Sequence, residues 1–219
     1  MNGSVGIKPT QNLPRLTVKP HMLLNDLEKR LMNSPLRWAT QRLVDVRFFL
    51  EMGGPTPGAR TLEMGCGNGR GMEMIHQQFK AHRVDGFDLD PEMVTLAQER
   101  ILPRWPESTI RVGDATRIQA DDDSYDAVFD FGIIHHVPAW RDVLWETRRV
   151  LKPGGKFYVF EMLAEFIQHP LWRVLLTHPQ EDRFGFDDFQ DALSVQGFSV
   201  LGARHVRHKM AWYVAERLP

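Results

Sequence analysis

The chain has 219 residues, 42% hydrophobic and 25% charged, the make-up of one sizeable globular α/β domain with an appended segment. A net charge of −1 leaves no broad electrostatic footprint for nucleic acid or an anionic membrane. The single cysteine, Cys66, excludes an internal disulfide and fits a reducing compartment.

Residues 1–20 read as an irregular arm: polar, punctuated by Pro and Gly, and without the apolar core of a signal peptide. No apolar run is long enough to span a bilayer, so a cytoplasmic protein is expected. Leu24, Leu27 and Leu31 recur at helical spacing before Pro35 interrupts; Leu36, Ala39, Leu43, Val46 and Leu50 then carry a second helix as far as Gly53. The turn cluster Gly54-Pro55-Thr56-Pro57-Gly58 marks the clearest internal boundary. It divides helices in 21–58 from a domain over 59–219.

Beyond that boundary strands and helices alternate. Strands are expected at 60–64, 83–89, 110–112, 125–131 and 157–160, and helices at 72–79, from Pro91 to about Leu102, and across Trp140–Leu151. Asp90 is placed to cap the helix that Pro91 begins, and Lys152-Pro153-Gly154-Gly155 stops the one before the fifth strand. Asp187 and Gln190 read as a capping-box pair for a last helix that Gly197 ends, followed by antiparallel strands at 198–201 and 211–214. The pattern predicts an α/β fold: a Rossmann-like, mostly parallel sheet with a C-terminal antiparallel hairpin strand and helices on both faces. The basic run from Arg204 to Lys209 reads as a solvated hairpin end.

Ligands on such sheets bind beyond the carboxyl ends of the strands. The first strand runs into Glu63-Met64-Gly65-Cys66-Gly67-Asn68-Gly69-Arg70-Gly71, a loop bare enough for a ligand to lie against backbone at a helix N-terminus. The dinucleotide pattern Gly-x-Gly-x-x-Gly fails here, because its third position is Arg70 in one register and Met72 in the other. Cys66 serves as a small filler in the loop. Asp88 ends the second strand about 23 residues beyond Gly65, where a carboxylate can accept both ribose hydroxyls of a nucleoside. Asp114, in Gly113-Asp114-Ala115, can accept from an exocyclic amine, although Gly-Asp is also turn chemistry. The fourth strand end, Phe129-Asp130-Phe131-Gly132-Ile133-Ile134-His135-His136, offers walls for a cofactor and polar atoms for a reaction.

Five segments in order resemble the class I S-adenosylmethionine-dependent methyltransferases: Leu62–Gly69, Val84–Met93, Gly113–Ala115, Ser124–Val137 and Arg148–Phe157. The resemblance covers roughly residues 60–216 and leans toward the small-molecule, quinone C-methyltransferase-like branch. It implies S-adenosyl-L-methionine as cofactor, S-adenosyl-L-homocysteine as product and a small, apolar or aromatic acceptor. Glu63, Gly65 and Gly67 would hold the methionine part, Asp88 the ribose, Leu89 would pack on the adenine and Asp114 would contact its amine, with Cys66, Ala115 and Phe131 also at the cofactor. The chain departs from many relatives in carrying Asp130 where they have a small polar residue or asparagine. It also lacks the Asn-Pro-Pro-Tyr or Asp-Pro-Pro-Tyr element of base and glutamine-amide methylation.

His135, His136 and Asp130 are the candidate general bases, needed only if the acceptor loses a proton; packing or helix capping is the other reading of the histidine pair. His169, His178 and His205 are weaker candidates, and the nine histidines show no tight metal-ligand spacing. The stretch from Met162 to Phe186 forms either an apolar lid or an ordinary amphipathic helix. A nicotinamide-dependent oxidoreductase and a non-catalytic cofactor-binding subunit stay open as alternatives. The acceptor and the oligomeric state are not encoded in any motif.

Overall fold

The structure is a computed structural model that describes residues 34–167 and 182–219. The arm at 1–20, the Leu24-Leu27-Leu31 helix, His169, His178 and most of the Met162–Phe186 stretch lie outside the described residues.

Seven strands form one sheet: β1 (Arg60–Met64), β2 (Arg83–Asp88), β3 (Ile110–Val112), β4 (Tyr125–Phe131), β5 (Leu151–Met162), β6 (Phe198–Val206) and β7 (Met210–Arg217). Their order is β3-β2-β1-β4-β5-β7-β6. The first five are parallel, and the β6–β7 hairpin closes the edge antiparallel to β5. The central strands are buried on both faces, which is why they read as nearly continuous apolar runs.

Helices α1 (Pro35–Thr40) and α2 (Val46–Gly53), joined by a π turn at Gln41–Asp45, cover one face with α3 (Arg70–Met74) and α4 (Pro91–Ile101). Helices α5 (Trp140–Val150) and α7 (Phe186–Val195) cover the other; the short α6 (Ala164–Ile167) follows β5. Ser34 caps α1 by accepting from Arg37 N–H at 3.2 Å, and Asp90 caps α4 by accepting from Glu92 N–H at 2.9 Å. The π turn turns Asp45 inward, where it pairs with Arg37 at 2.9 Å and accepts from Trp212 Nε1 at 2.8 Å. This ties the N-terminal helices to β7.

Several boundaries differ from the periodicity. Strand β5 has 12 residues rather than the four expected, because Leu151 pairs with Tyr125 before the Pro-Gly-Gly turn and pairing resumes at Lys156. Helix α5 therefore ends at Val150. The last helix is capped by Gly185 and Asp188, whose carboxylate accepts from Gly185 N–H at 2.8 Å, and not by the Asp187–Gln190 pair. The two closing strands each extend beyond their apolar cores, since a hairpin ladder needs backbone pairing rather than apolar residues.

Asp85 ties the lower half of the sheet together. It pairs with Arg60 and Arg83 at 2.9 Å each and accepts from Thr109 N–H at 2.9 Å and Thr109 Oγ1 at 2.7 Å. These donors hold its carboxyl below the usual range against the opposing effect of burial. Asp85→Asn is expected to lower stability by about 1–3 kcal/mol, read as a lower urea midpoint at unchanged slope.

Candidate functional site

The strand order reverses at β1, which lies between β2 and β4. A cleft open to solvent sits at the carboxyl ends of these strands. Glu63, Gly65, Cys66, Gly67, Asp88, Leu89, Asp114, Ala115 and Phe131, the nine residues expected at the cofactor, all line it.

The first wall is the glycine loop. Gly65 has φ +61°, and a Cβ there would stand 2.5 Å from Ile133 Cγ2, so this position excludes any side chain. A Cβ on Gly71 would fall 1.9 Å from Glu63 Oε1. Glu63 is 3% exposed, and its Oε2 has no hydrogen-bond partner. Burial, followed by the charges of Asp88 and Asp130, raises its carboxyl well above the usual range. The Cys66 thiol is likewise pushed up by burial and by Glu63 and Asp88, and so stays protonated.

Asp88 closes the second wall. Its Oδ2 accepts from Gly67 N–H at 2.8 Å and its Oδ1 from Asp90 N–H at 2.9 Å, so the carboxylate also fixes the bend of the glycine loop. Asp114 Oδ1 accepts from Thr116 N–H and Thr116 Oγ1, both at 2.8 Å, and thereby orders the turn after β3.

The fourth strand end separates the three candidate bases. His136 is half-buried and lines the cleft. His135 is 5% exposed and is not among the cleft residues; its Nδ1 contacts Glu161 Oε2 at the end of β5. Burial, then the charges of Arg183 and Arg37, lower its pKa to about 3, so the ring is neutral near pH 7. Asp130 is wholly buried and is not among the cleft residues. Its Oδ1 accepts from Gly132 N–H at 3.1 Å and Ile133 N–H at 2.9 Å.

Glu161 Oε1 grips the next two amides, those of Ile134 at 2.6 Å and His135 at 3.3 Å. Two carboxyls thus hold four successive N–H groups of the segment that forms the cleft wall. Burial pushes Glu161 up to about 7, and burial together with Glu161 raises Asp130 well above its ordinary value. The pair therefore retains a proton near neutrality.

Three residues of the N-terminal helical segment, Arg37, Trp38 and Gln41, complete the mouth with Arg70 from the loop. Their sequence signal is weak, since an Arg-Trp pair in an amphipathic helix has no spacing that ties it to the loop. Glu161 could have been found as a carboxylate at the end of a parallel strand, the position that already drew attention to Glu63, Asp88 and Asp130. Among the described residues no group of histidine, cysteine and carboxylate side chains could hold a metal ion, and no helix is long and apolar enough to cross a membrane.

A methyltransferase-domain profile matches residues 62–159, which span the loop, the Asp88 strand end, the fourth strand end and most of β5. Over these residues the chain is similar to S-adenosylmethionine-dependent methyltransferases. That similarity implies S-adenosylmethionine as the cofactor.

The chain is 34% identical over 105 residues to phosphoethanolamine N-methyltransferase 2 of Caenorhabditis elegans, covering 47% of this chain and 24% of that protein. It is 34% identical over 100 residues to the phthiotriol/phenolphthiotriol dimycocerosates methyltransferase of Mycobacterium tuberculosis, covering 46% and 36%. It thus spans roughly a quarter to a third of the length of these curated relatives. A solved S-adenosylmethionine-dependent methyltransferase of Aquifex aeolicus shares the fold with a TM-score of 0.69 at 19% identity, over 89% of this chain and 99% of that one.

Proposed function

We propose that this protein transfers the methyl group of S-adenosylmethionine to a small, apolar or aromatic molecule. The observation that carries the reading is Glu63: a buried carboxyl oxygen without a hydrogen-bond partner, on the wall of a cleft whose other strand ends present Asp88 and Asp114. Glu63 suits the methionine ammonium, Asp88 the ribose hydroxyls and Asp114 the adenine amine, with Leu89, Ala115 and Phe131 packing beside them. Gly65, Cys66 and Gly67 let the ligand approach backbone.

When bound, S-adenosylmethionine supplies an activated sulfonium methyl. The chain's own contribution is then positioning and exclusion of water, which can supply roughly 7–11 kcal/mol. Trp38, Phe131, Ile133 and His136 offer the acceptor its walls, and the helical segment from Pro35 to Gly53 acts as the acceptor-side cap. An acceptor that must lose a proton would give it to His136, the candidate base that lines the cleft; His135 and Asp130 orient the wall behind it. The lipid-methyltransferase names among the relatives support an apolar acceptor.

Titration calorimetry with S-adenosylhomocysteine and NAD, followed by acceptor-dependent formation of S-adenosylhomocysteine, tests the reading. Tight NAD binding without adenosyl binding would overturn it. Glu63 adds a pH signature. Burial raises its carboxyl well above the usual range in the free protein, while a bound ammonium favours the carboxylate. Binding is therefore expected to release a proton, and affinity to rise as pH increases through the raised pKa. The release is read from the dependence of binding enthalpy on buffer ionisation, and Glu63→Gln should abolish it.

A further inference from the structure

The basic run at 204–209 is not part of the cleft, and tertiary packing gives it neighbours that the sequence alone did not. Leu43 is 71% exposed, Val44 37% and Val206 45%. Leu43 and Val44 lie on the π turn directly after Gln41, which lines the cleft. Val206 ends β6.

Contacts tie the helical segment that carries Leu43 and Val44 to the hairpin that carries Val206. Arg204 pairs with Glu51 at 2.9 Å and stands 4.9 Å from the centre of the Phe48 ring. Phe48 meets Trp212 edge-on at 5.0 Å, and Trp212 holds Asp45 at 2.8 Å. The register Arg204↔Trp212, Val206↔Met210 then carries Val206 beyond Arg204, past the Asp45 end of α2 and toward the π turn. The same register places the hairpin turn at the carboxyl end of β5, where Met162 pairs with Met210. That is the end of the sheet on which the cleft opens.

Arg42 and Arg47 are exposed on the helical segment that carries Leu43 and Val44, and Arg204, Arg207 and Lys209 are exposed at the hairpin end that carries Val206. The exposed carboxylate on α2 here, Glu51, is already shared between Arg47 and Arg204. The result is a local cationic field with protruding aliphatic groups, in a chain whose net charge is −1. Trp38 links it to the cleft: its ring lies 5.4 Å from the Arg42 guanidinium, and its side chain lines the mouth.

We propose that this surface seats the protein on an anionic lipid bilayer, with the mouth of the cleft facing the interface, so that an amphipathic acceptor enters from the lipid. Cations draw the face to anionic headgroups while Leu43, Val44 and Val206 insert beside them. The protruding groups are aliphatic, which favours lipid over nucleic acid, where stacking would call for exposed aromatic faces. The acceptor route rests on the methyltransferase reading; the seating does not.

The test is co-sedimentation of the full chain with vesicles of phosphatidylcholine alone or with about one-third phosphatidylglycerol, at low and high salt. Binding is expected to the anionic vesicles and to weaken at least tenfold at high salt. The double variant Leu43→Ser, Val206→Ser and the double variant Arg207→Glu, Lys209→Glu should each weaken it about tenfold or more. Val195→Ser, an exposed change on α7 across the sheet, should leave it unchanged. Protein that stays in the supernatant with anionic vesicles at low salt overturns the proposal. So does binding that both double variants retain, or a patch that binds single-stranded RNA and not vesicles. S-adenosylhomocysteine affinity, measured on the same preparations, should be unaltered in every variant. Loss of that affinity in the unmodified chain would count against the cofactor site and leave the seating result standing.

Discussion

Replacing Asp88 by alanine should lower the affinity for S-adenosylhomocysteine by two to four powers of ten. Hydrogen bonds to a charged group contribute about 1.5–3 kcal/mol each, and a carboxylate here would receive two ribose hydroxyls, so roughly 3–6 kcal/mol is at stake. Asp88 also braces the protein, through Gly67 N–H at 2.8 Å and Asp90 N–H at 2.9 Å. Four lone-pair sites let one carboxylate serve both sets of donors. Asp88→Asn keeps an acceptor oxygen and should fall between alanine and the native protein. Calorimetric titration reads the difference directly, and an alanine variant within threefold of native affinity would reject the ribose assignment.

Glu161→Leu should be the most destabilising single change at the cleft, by about 3–5 kcal/mol in urea unfolding. It strips the acceptor from the amides of Ile134 and His135 and from the His135 ring, all buried. An amide left buried without a partner costs about 1–3 kcal/mol, and leucine offers none of them an oxygen. Glu161→Gln retains one acceptor and should cost less. The pH dependence distinguishes the roles.

Glu161 is raised from 4.5 to about 7 in the fold, so the native state binds the extra proton between those values, and this contribution to stability declines as pH rises through 7. His135 is lowered from 6.5 to about 3, so its contribution is present above 6.5 and is lost as pH falls toward 3. Between about 4.5 and 6.5 the two slopes oppose each other. The native protein should therefore show a flat stability profile there, whereas Glu161→Gln should lose stability steadily as pH drops below 6.5. Thermal melts across this range provide the check, and parallel profiles for the two proteins would dismiss the coupling.

The alternation of strand and helix, the glycine loop and the carboxylates at 63, 88 and 114 were all legible in the chain. Each follows from local rules: period-two or helical apolar spacing, a backbone conformation only glycine adopts comfortably, and a polar residue ending an apolar strand. The boundaries of β5, β6 and β7 were not legible. Antiparallel pairing continues through Lys156, Arg204 and Glu216, whose side chains give no apolar signal because the ladder is made by backbone.

The sequence by itself determined the alternation of strand and helix that makes a mostly parallel sheet and the nucleotide-type character of its cleft, since both arise from patterns close along the chain. The strand order, with β1 beside β4, came from pairing across more than 60 residues. Only the tertiary structure decided which of two adjacent histidines meets the cleft. In the 3₁₀ turn at Ile134–His136, successive side chains diverge, and Glu161, 26 residues beyond His135, captures His135 and leaves His136 on the wall. Tertiary packing likewise set Arg37 and Trp38 at the mouth and Glu51 and Phe48 beside Arg204, because Asp45 reaches Trp212 across 167 residues of chain. Contacts of that span depend on how elements pack against one another, and no local pattern of residues records them.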